Sequence, residues 1–256
     1  MFPILQLGPL ALRLPGLFVL IGIWLGTWLI DREAPRHKVS GAALNRVVFY
    51  GLIAGIVGAR LAYASRYVTI YAEDPLSVLS LNPSTLAPAE GILIGLTAAI
   101  VLGQRWHLPL WPSLDALTPS FAVFALLLGI AHLSSGDAFG APSSVPWSIE
   151  LWGAQRHPTQ VYEILLAAAV VLAVSRLRRI AAFPGFLFLV WVAMAAASRL
   201  FLEGFRGDSV TVFGTLRGAQ LASLAVLALV LVSLHLRAKS SLAAARSEPD
   251  ASTETV

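Results

Sequence analysis

The 256-residue chain has no cysteine and few charges: Asp, Glu, Lys and Arg make up 12% of it, where soluble domains carry about 25%. The lack of cysteine excludes disulfides, a thiolate nucleophile and zinc–thiolate sites. The lack of charge excludes a water-soluble enzyme of ordinary surface, and a disordered or acidic-tail protein as well. What is present is apolar: hydrophobic residues make up 57% of the chain, and the mean hydropathy is +0.77. At roughly 20 residues per span, that supply is enough for six or seven transmembrane helices. The formal charge of +4 reads as a topology signal in such a chain, so no nucleic-acid partner is expected.

Charge-poor windows give seven spans: Leu14–Ile30, Val47–Ser65, Leu86–Gly103, Ala116–Ser135, Pro158–Val174, Ile180–Ser198 and Gly218–Leu234. Only Arg13 precedes the first, so it reads as an uncleaved span rather than a signal peptide. The segments after spans one, three, five and seven hold eleven of the 18 Lys and Arg residues. The positive-inside rule makes that side cytoplasmic, with the N-terminus out and the C-terminus in. The expected fold is all-α, a seven-helix domain over residues 1–236, followed by a polar cytoplasmic tail over 237–256 expected to be disordered. Two long loops, about Arg66–Thr85 and Gly136–His157, fall on the outer side. The first, with Pro75, Pro83, Tyr67 and Tyr71, suits a segment lying in the interface plane.

Ionisable residues at membrane depth cost about 2.5–3.5 kcal/mol each on insertion scales and normally face a bundle interior or a wet cavity. Here they are Arg60, Glu90, His132, Asp137, Glu163, Arg199 and Glu203. All fall toward the outer ends of their spans, which suggests one outward-facing polar cavity. Snorkelling to the interface is the plain alternative for each alone.

Two segments stand out. In Ser198–Arg206, Arg199, Glu203 and Arg206 stand at i, i+4 and i+7, one face of a helix. That face suits a phosphate bound through guanidinium forks, or a salt-bridge ladder ending the helix. In Arg156–Glu163, Pro158 suits a first helical turn. His157, Gln160 and Glu163 then follow at i+3 steps, with Tyr162 beside them.

Together these segments resemble the bacterial prolipoprotein diacylglyceryl transferases. His157-Pro158-Thr159-Gln160-Val161-Tyr162-Glu163 is similar to that family's His-Pro-(Ser/Thr)-Gln-(Leu/Val)-Tyr-Glu signature. Arg199 to Arg206 resembles its Arg-Phe-x-x-Glu-x-x-Arg segment, with Gln220 like the glutamine that follows. Gly58-Ala59-Arg60-Leu61-Ala62-Tyr63 and Asp115-Ala116 with Pro119 resemble its second- and fourth-helix motifs. The resemblance spans about residues 10–236. It implies a multi-pass enzyme of the bacterial plasma (inner) membrane. Such an enzyme moves a diacylglyceryl group from phosphatidylglycerol to the lipobox cysteine thiol in a prolipoprotein signal peptide. A thioether forms and glycerol phosphate leaves, with no cofactor or metal. On this reading Arg60, Arg199 and Arg206 hold the lipid phosphate and Glu203 orders the arginines. His157, Gln160, Tyr162, Glu163 and Gly140 line the cavity.

The sequence departs from the family at three places. Glu90-Gly91-Ile92 stands where a His-Gly-Gly step is usual. Along the fourth-helix signature, the family's arginine falls on Gly129 and its asparagines on His132 and Ser135. The acidic residue becomes Asp137, and Gly140 is kept. The usual tyrosine before the first helix falls near Pro15. His132, Asp137 and Glu90 are therefore the candidates for the replaced catalytic groups, since an imidazole, or a carboxylate raised by burial, suits proton transfer. Two other readings stay open: a homologue acting on another phospholipid or acceptor, and a non-catalytic protein that binds lipid or a membrane partner.

Overall fold

In hydrocarbon a backbone can satisfy its N–H and C=O groups only internally, so charge-free runs of Leu, Val, Ile and Ala fold as helices. The computed structural model describes residues 4–7, 10–80, 82–180, 182–212 and 216–247. Its helices are α1 (Leu14–Glu33), α2 (Gly41–Arg66), α3 (Val68–Glu73), α4 (Pro88–Arg105), α5 (Leu110–Ser135), α6 (Thr159–Leu177), α7 (Phe186–Glu203) and α8 (Gly218–Ser247). Among the described residues, six helices are long and apolar enough to cross a membrane: α1, α2, α5, α6, α7 and α8. The chain is thus a mostly helical, multi-pass membrane protein. The expected third span forms as α4 but is not one of the six. It has 18 residues, with Glu90 in its first turn and Arg105 in its last.

Three short antiparallel hairpins, absent from the all-α expectation, accompany the helices. They are β1 (Ile4–Leu7) with β2 (Leu10–Arg13), β3 (Ile149–Leu151) with β4 (Ala154–Arg156), and β5 (Thr211–Val212) with β6 (Leu216–Arg217). The tail expected from residue 237 is helical through Ser247, and residues 248–256 lie outside those described. Within this extension Arg237 Nη1 donates to the Pro184 carbonyl at 2.6 Å.

The chain divides into two units: Ile30–Ser113, and Met1–Leu29 with Leu114–Val256. In the first, α2 packs along α4 through facing glycines. A Cβ on Gly91 would lie 2.6 Å from the Ala59 Cβ and 2.8 Å from the Gly55 carbonyl oxygen. With no hydrophobic drive between helices in lipid, such close backbone approach supplies the packing. The loop after α2 is largely structured, as α3 and the 3-10 turns Pro75–Leu79 and Pro83–Thr85.

In the second unit, α7 packs against α6 and α8. Ala122, Val170, Val174 and Leu187 form its buried core, with Trp191 and Met194 packed against them. Ser120 Oγ donates to the Gly26 carbonyl at 2.9 Å, tying α5 to α1. The sixth span was expected over Ile180–Ser198 but runs Phe186–Glu203. Pro184 and the left-handed Gly185 (φ 94°) hold back its start. Asp115, buried on α5, then caps it: its carboxylate accepts from Gly185 N at 2.6 Å and Phe188 N at 2.9 Å. A carboxylate there satisfies orphan N–H groups and meets the positive end of the helix dipole.

Two stability measurements follow. Asp115→Ala, leaving those buried donors unpaired, is expected to cost about 1–3 kcal/mol, read as a lower unfolding midpoint in detergent micelles. Gly91→Val, pushing α4 off α2, should cost a comparable ~1–3 kcal/mol of overpacking. An unchanged midpoint in either variant contradicts the contact assigned to it.

Candidate functional site

The richest polar cluster lies in the unit holding α5, α6 and α7, where three chain segments meet. The loop after α5 and the end of α7 are joined by Ala141 N to Phe205 O (2.7 Å) and Gly207 N to Phe139 O (2.9 Å). The start of α6 is joined to that loop by His157 N to Ala141 O at 3.1 Å. Gly140 sits at the crossing, and a Cβ there would lie 2.1 Å from the His157 carbonyl oxygen. Only glycine fits this approach. Thr159 Oγ1 donates to the Ala138 carbonyl at 2.6 Å. The fully buried Gln160 donates from Nε2 to the Asp137 carbonyl at 2.9 Å, while its Oε1 has no partner among the described residues.

His157 stacks edge-on to Phe205 and lies against Tyr162, with its Nδ1 buried and without a partner among the described residues. The Tyr162 hydroxyl accepts from Trp147 Nε1 at 2.6 Å. The His-Pro-Thr-Gln segment thus serves first to knit the loop to the helix end. The Asp137 side chain, by contrast, is exposed.

Next to this knot, α5, α6 and α7 line a partly open cavity of about 170 Å³ whose lining includes Glu163, Trp191, Ser198 and Arg199. Arg199 Nη2 lies 3.1 Å from Glu203 Oε2. The contact is an ion pair, and Glu203 Oε2 accepts no hydrogen bond among the described residues. The Glu203 side chain is 1% exposed and that of Arg199 is 42% exposed, so a buried carboxylate anchors a guanidinium that still has an open side. From α6, the lining residue Glu163 meets His132 of α5, Oε2 to Nδ1 at 2.9 Å.

The expected Arg–Glu–Arg face does not form as a unit. Helix α7 ends at Glu203, and Arg206 beyond it turns to Asp208 in a two-pronged pair, Nε to Oδ1 at 2.8 Å and Nη2 to Oδ2 at 2.6 Å. Asp208 was missed, although it lies only two residues away. Arg217 was missed too: its Nη1 donates to the carbonyls of Glu203 and Arg206 and to Ser209 Oγ, closing the turn after α7.

Arg60 and Glu90 belong to the other unit. Arg60 is 7% exposed, and its guanidinium is spent on the loop after α2. Nε donates to Val78 O, Nη1 to the carbonyl and hydroxyl of Thr85, and Nη2 to Ser77 O and Ser80 Oγ. Five N–H donors meet five acceptors, which leaves none for a phosphate. Arg60 thus holds the loop after α2, and Arg206 meets Asp208 through Nε and Nη2. Beside Arg60 lies a second, apolar cavity of about 370 Å³. Glu90 is ion-paired with Arg66.

Among the described residues no group of three or more His, Asp or Glu is placed to hold a metal ion.

A family model for prolipoprotein diacylglyceryl transferase matches residues 3–236. Curated relatives named phosphatidylglycerol–prolipoprotein diacylglyceryl transferase include one from Gloeobacter violaceus, 30% identical and covering 90% of each chain. One from a Nostoc species is 28% identical over 90% of this chain and 87% of its own. One from Bacillus cereus is 25% identical over 92% and 91%. With the signature segments placed at one knot next to a charged cavity, the chain belongs to the prolipoprotein diacylglyceryl transferase family.

Proposed function

We propose that this protein transfers the diacylglyceryl group of phosphatidylglycerol to the lipobox cysteine thiol of a prolipoprotein signal peptide. The proposed setting is the bacterial plasma (inner) membrane, with seven spans, the N-terminus outside, the C-terminus inside and the polar cavity facing outward. The observation that carries the reading is Arg199, anchored by the buried Glu203 and opening into the cavity between α5, α6 and α7.

The reaction is a substitution at carbon. The sulfur of the acceptor cysteine bonds to the glyceryl methylene as the bond from that carbon to the phosphate oxygen breaks. The electron pair of that bond leaves with glycerol phosphate. Charge thus develops on the phosphate, and a guanidinium held in place before reaction stabilises it without reorganising. Glu203 holds one edge of Arg199 and leaves other N–H donors for the lipid. The nucleophile comes with the substrate, so a chain without cysteine is consistent with the chemistry, and no cofactor enters it. His157, Gln160, Tyr162 and Gly140 maintain the loop–helix knot next to the cavity. His132, Asp137 and Glu90 are the groups to weigh for proton transfer.

The test uses purified protein, labelled phosphatidylglycerol and a lipobox peptide. Arg199→Ala should lower kcat/KM about 10²- to 10³-fold in protein that still folds, with a lower unfolding midpoint because the buried Glu203 loses its partner. Arg199→Lys, which keeps the charge but loses the planar fork, should fall between. Undiminished transfer by Arg199→Ala contradicts the phosphate role. Lipid binding by the unaltered protein without release of glycerol phosphate would instead identify a non-catalytic homologue.

A further inference from the structure

Three acidic or imidazole groups compete for proton transfer, and the geometry separates them. Glu90 is occupied by Arg66. Asp137 is exposed, its backbone rather than its carboxylate being engaged by Gln160 and Ser135. His132 alone is held by a second side chain that also lines the Arg199 cavity, Glu163. We infer that His132 is the general base for the acceptor thiol and that Glu163 is its positioning residue, an inference that rests on the transferase reading above.

The contact exists because α5 and α6 come close at Gly129, three residues before His132. A Cβ built there would lie 3.2 Å from Ile164 Cγ1 and 3.5 Å from Glu163 Cγ. A long side chain at 129 would compete for the space through which Glu163 reaches the imidazole. The tautomer then follows from the pairing. An ionised carboxylate only accepts, so Nδ1 carries the hydrogen toward Glu163 Oε2, and the Nε2 lone pair is left as the acceptor.

Both side chains are partly open, 27% for His132 and 20% for Glu163, so the pair is ordered without being sealed. The charged partner of His132 is Glu163 on α6, and Glu163 also lines the cavity that Arg199 of α7, paired with Glu203, lines. In the step itself the thiol proton passes to His132 Nε2 as the sulfur–carbon bond forms. The carbon–oxygen electron pair leaves with glycerol phosphate. The resulting imidazolium faces the Glu163 carboxylate, which stabilises it, and releases its proton to water. A carboxylate that fixes the ring and then balances its charge is the usual partner of a histidine base.

The test compares transfer by the full-length protein, His132→Asn and Glu163→Gln, with phosphatidylglycerol vesicles and a lipobox peptide, between pH 7 and pH 9. At pH 7 His132→Asn should lose about 10²- to 10⁴-fold in kcat, with the KM for phosphatidylglycerol unchanged. The deficit should narrow toward pH 9, because a thiol with an ordinary pKa of about 8.5 ionises there without help. Glu163→Gln should show a smaller loss with the same alkaline recovery, and it carries the test if His132→Asn does not fold. A structural role for His132 would give a deficit independent of pH. That result, or a full rate in His132→Asn, overturns the inference while leaving the transferase reading intact. Absence of transfer by the unaltered protein overturns both.

Discussion

A charge drawn into an apolar helix bundle must find a partner there, because leaving it unpaired costs more than any single packing contact returns. The structure follows from that constraint. Asp115 is met by the first N–H groups of α7, Glu203 by Arg199 and Glu163 by His132. Arg60 is met by the carbonyls and hydroxyls of the loop after α2. Each pairing also does architectural work. Asp115 sets where α7 begins, Arg60 folds the long loop, and Glu163 joins α6 to α5. In a chain with so few charges, the pairs amount to a wiring plan for the helix ends.

Only some of the pairs leave a side open. The guanidinium of Arg60 is saturated by five acceptors, and that of Arg206 is gripped on two prongs by Asp208. Arg199 has one carboxylate partner and a half-exposed side chain. Three arginines that look equivalent in sequence thus differ in their partners, and Arg199 is the one that lines the cavity between α5, α6 and α7. The same sorting applies to the acids, where Glu163 lines the cavity and Glu203 lies buried behind Arg199.

The helices were legible in the sequence wherever long charge-free runs end in charge, as α1 does at Asp31-Arg32-Glu33. The start of α7 was misplaced because hydropathy alone ignores what Pro184 and Gly185 do to a helix, and because the cap at Asp115 lies 70 residues away. The hairpins were missed because strands of two to four residues leave no periodicity to read. Site residues were legible as types and spacings but not as partners. Spacing placed Arg206 on a face with Glu203, yet the helix ends first. The pairing of His132 with Glu163 spans 31 residues and depends on a close approach at Gly129, which no local pattern announces. The same position is where the resemblance puts the family's arginine, so the glycine that departs from the pattern also makes the new pair possible.

The central claim is that this chain, with Arg199 and the His132-paired Glu163 lining one cavity, still performs the transfer named for its relatives. Intact-mass measurement of a lipobox peptide after incubation with the purified protein and phosphatidylglycerol vesicles tests it most directly. The account predicts a peptide heavier by one diacylglyceryl group on its cysteine sulfur, with one glycerol phosphate released for each peptide modified. An unmodified peptide, with phosphatidylglycerol intact, would contradict it.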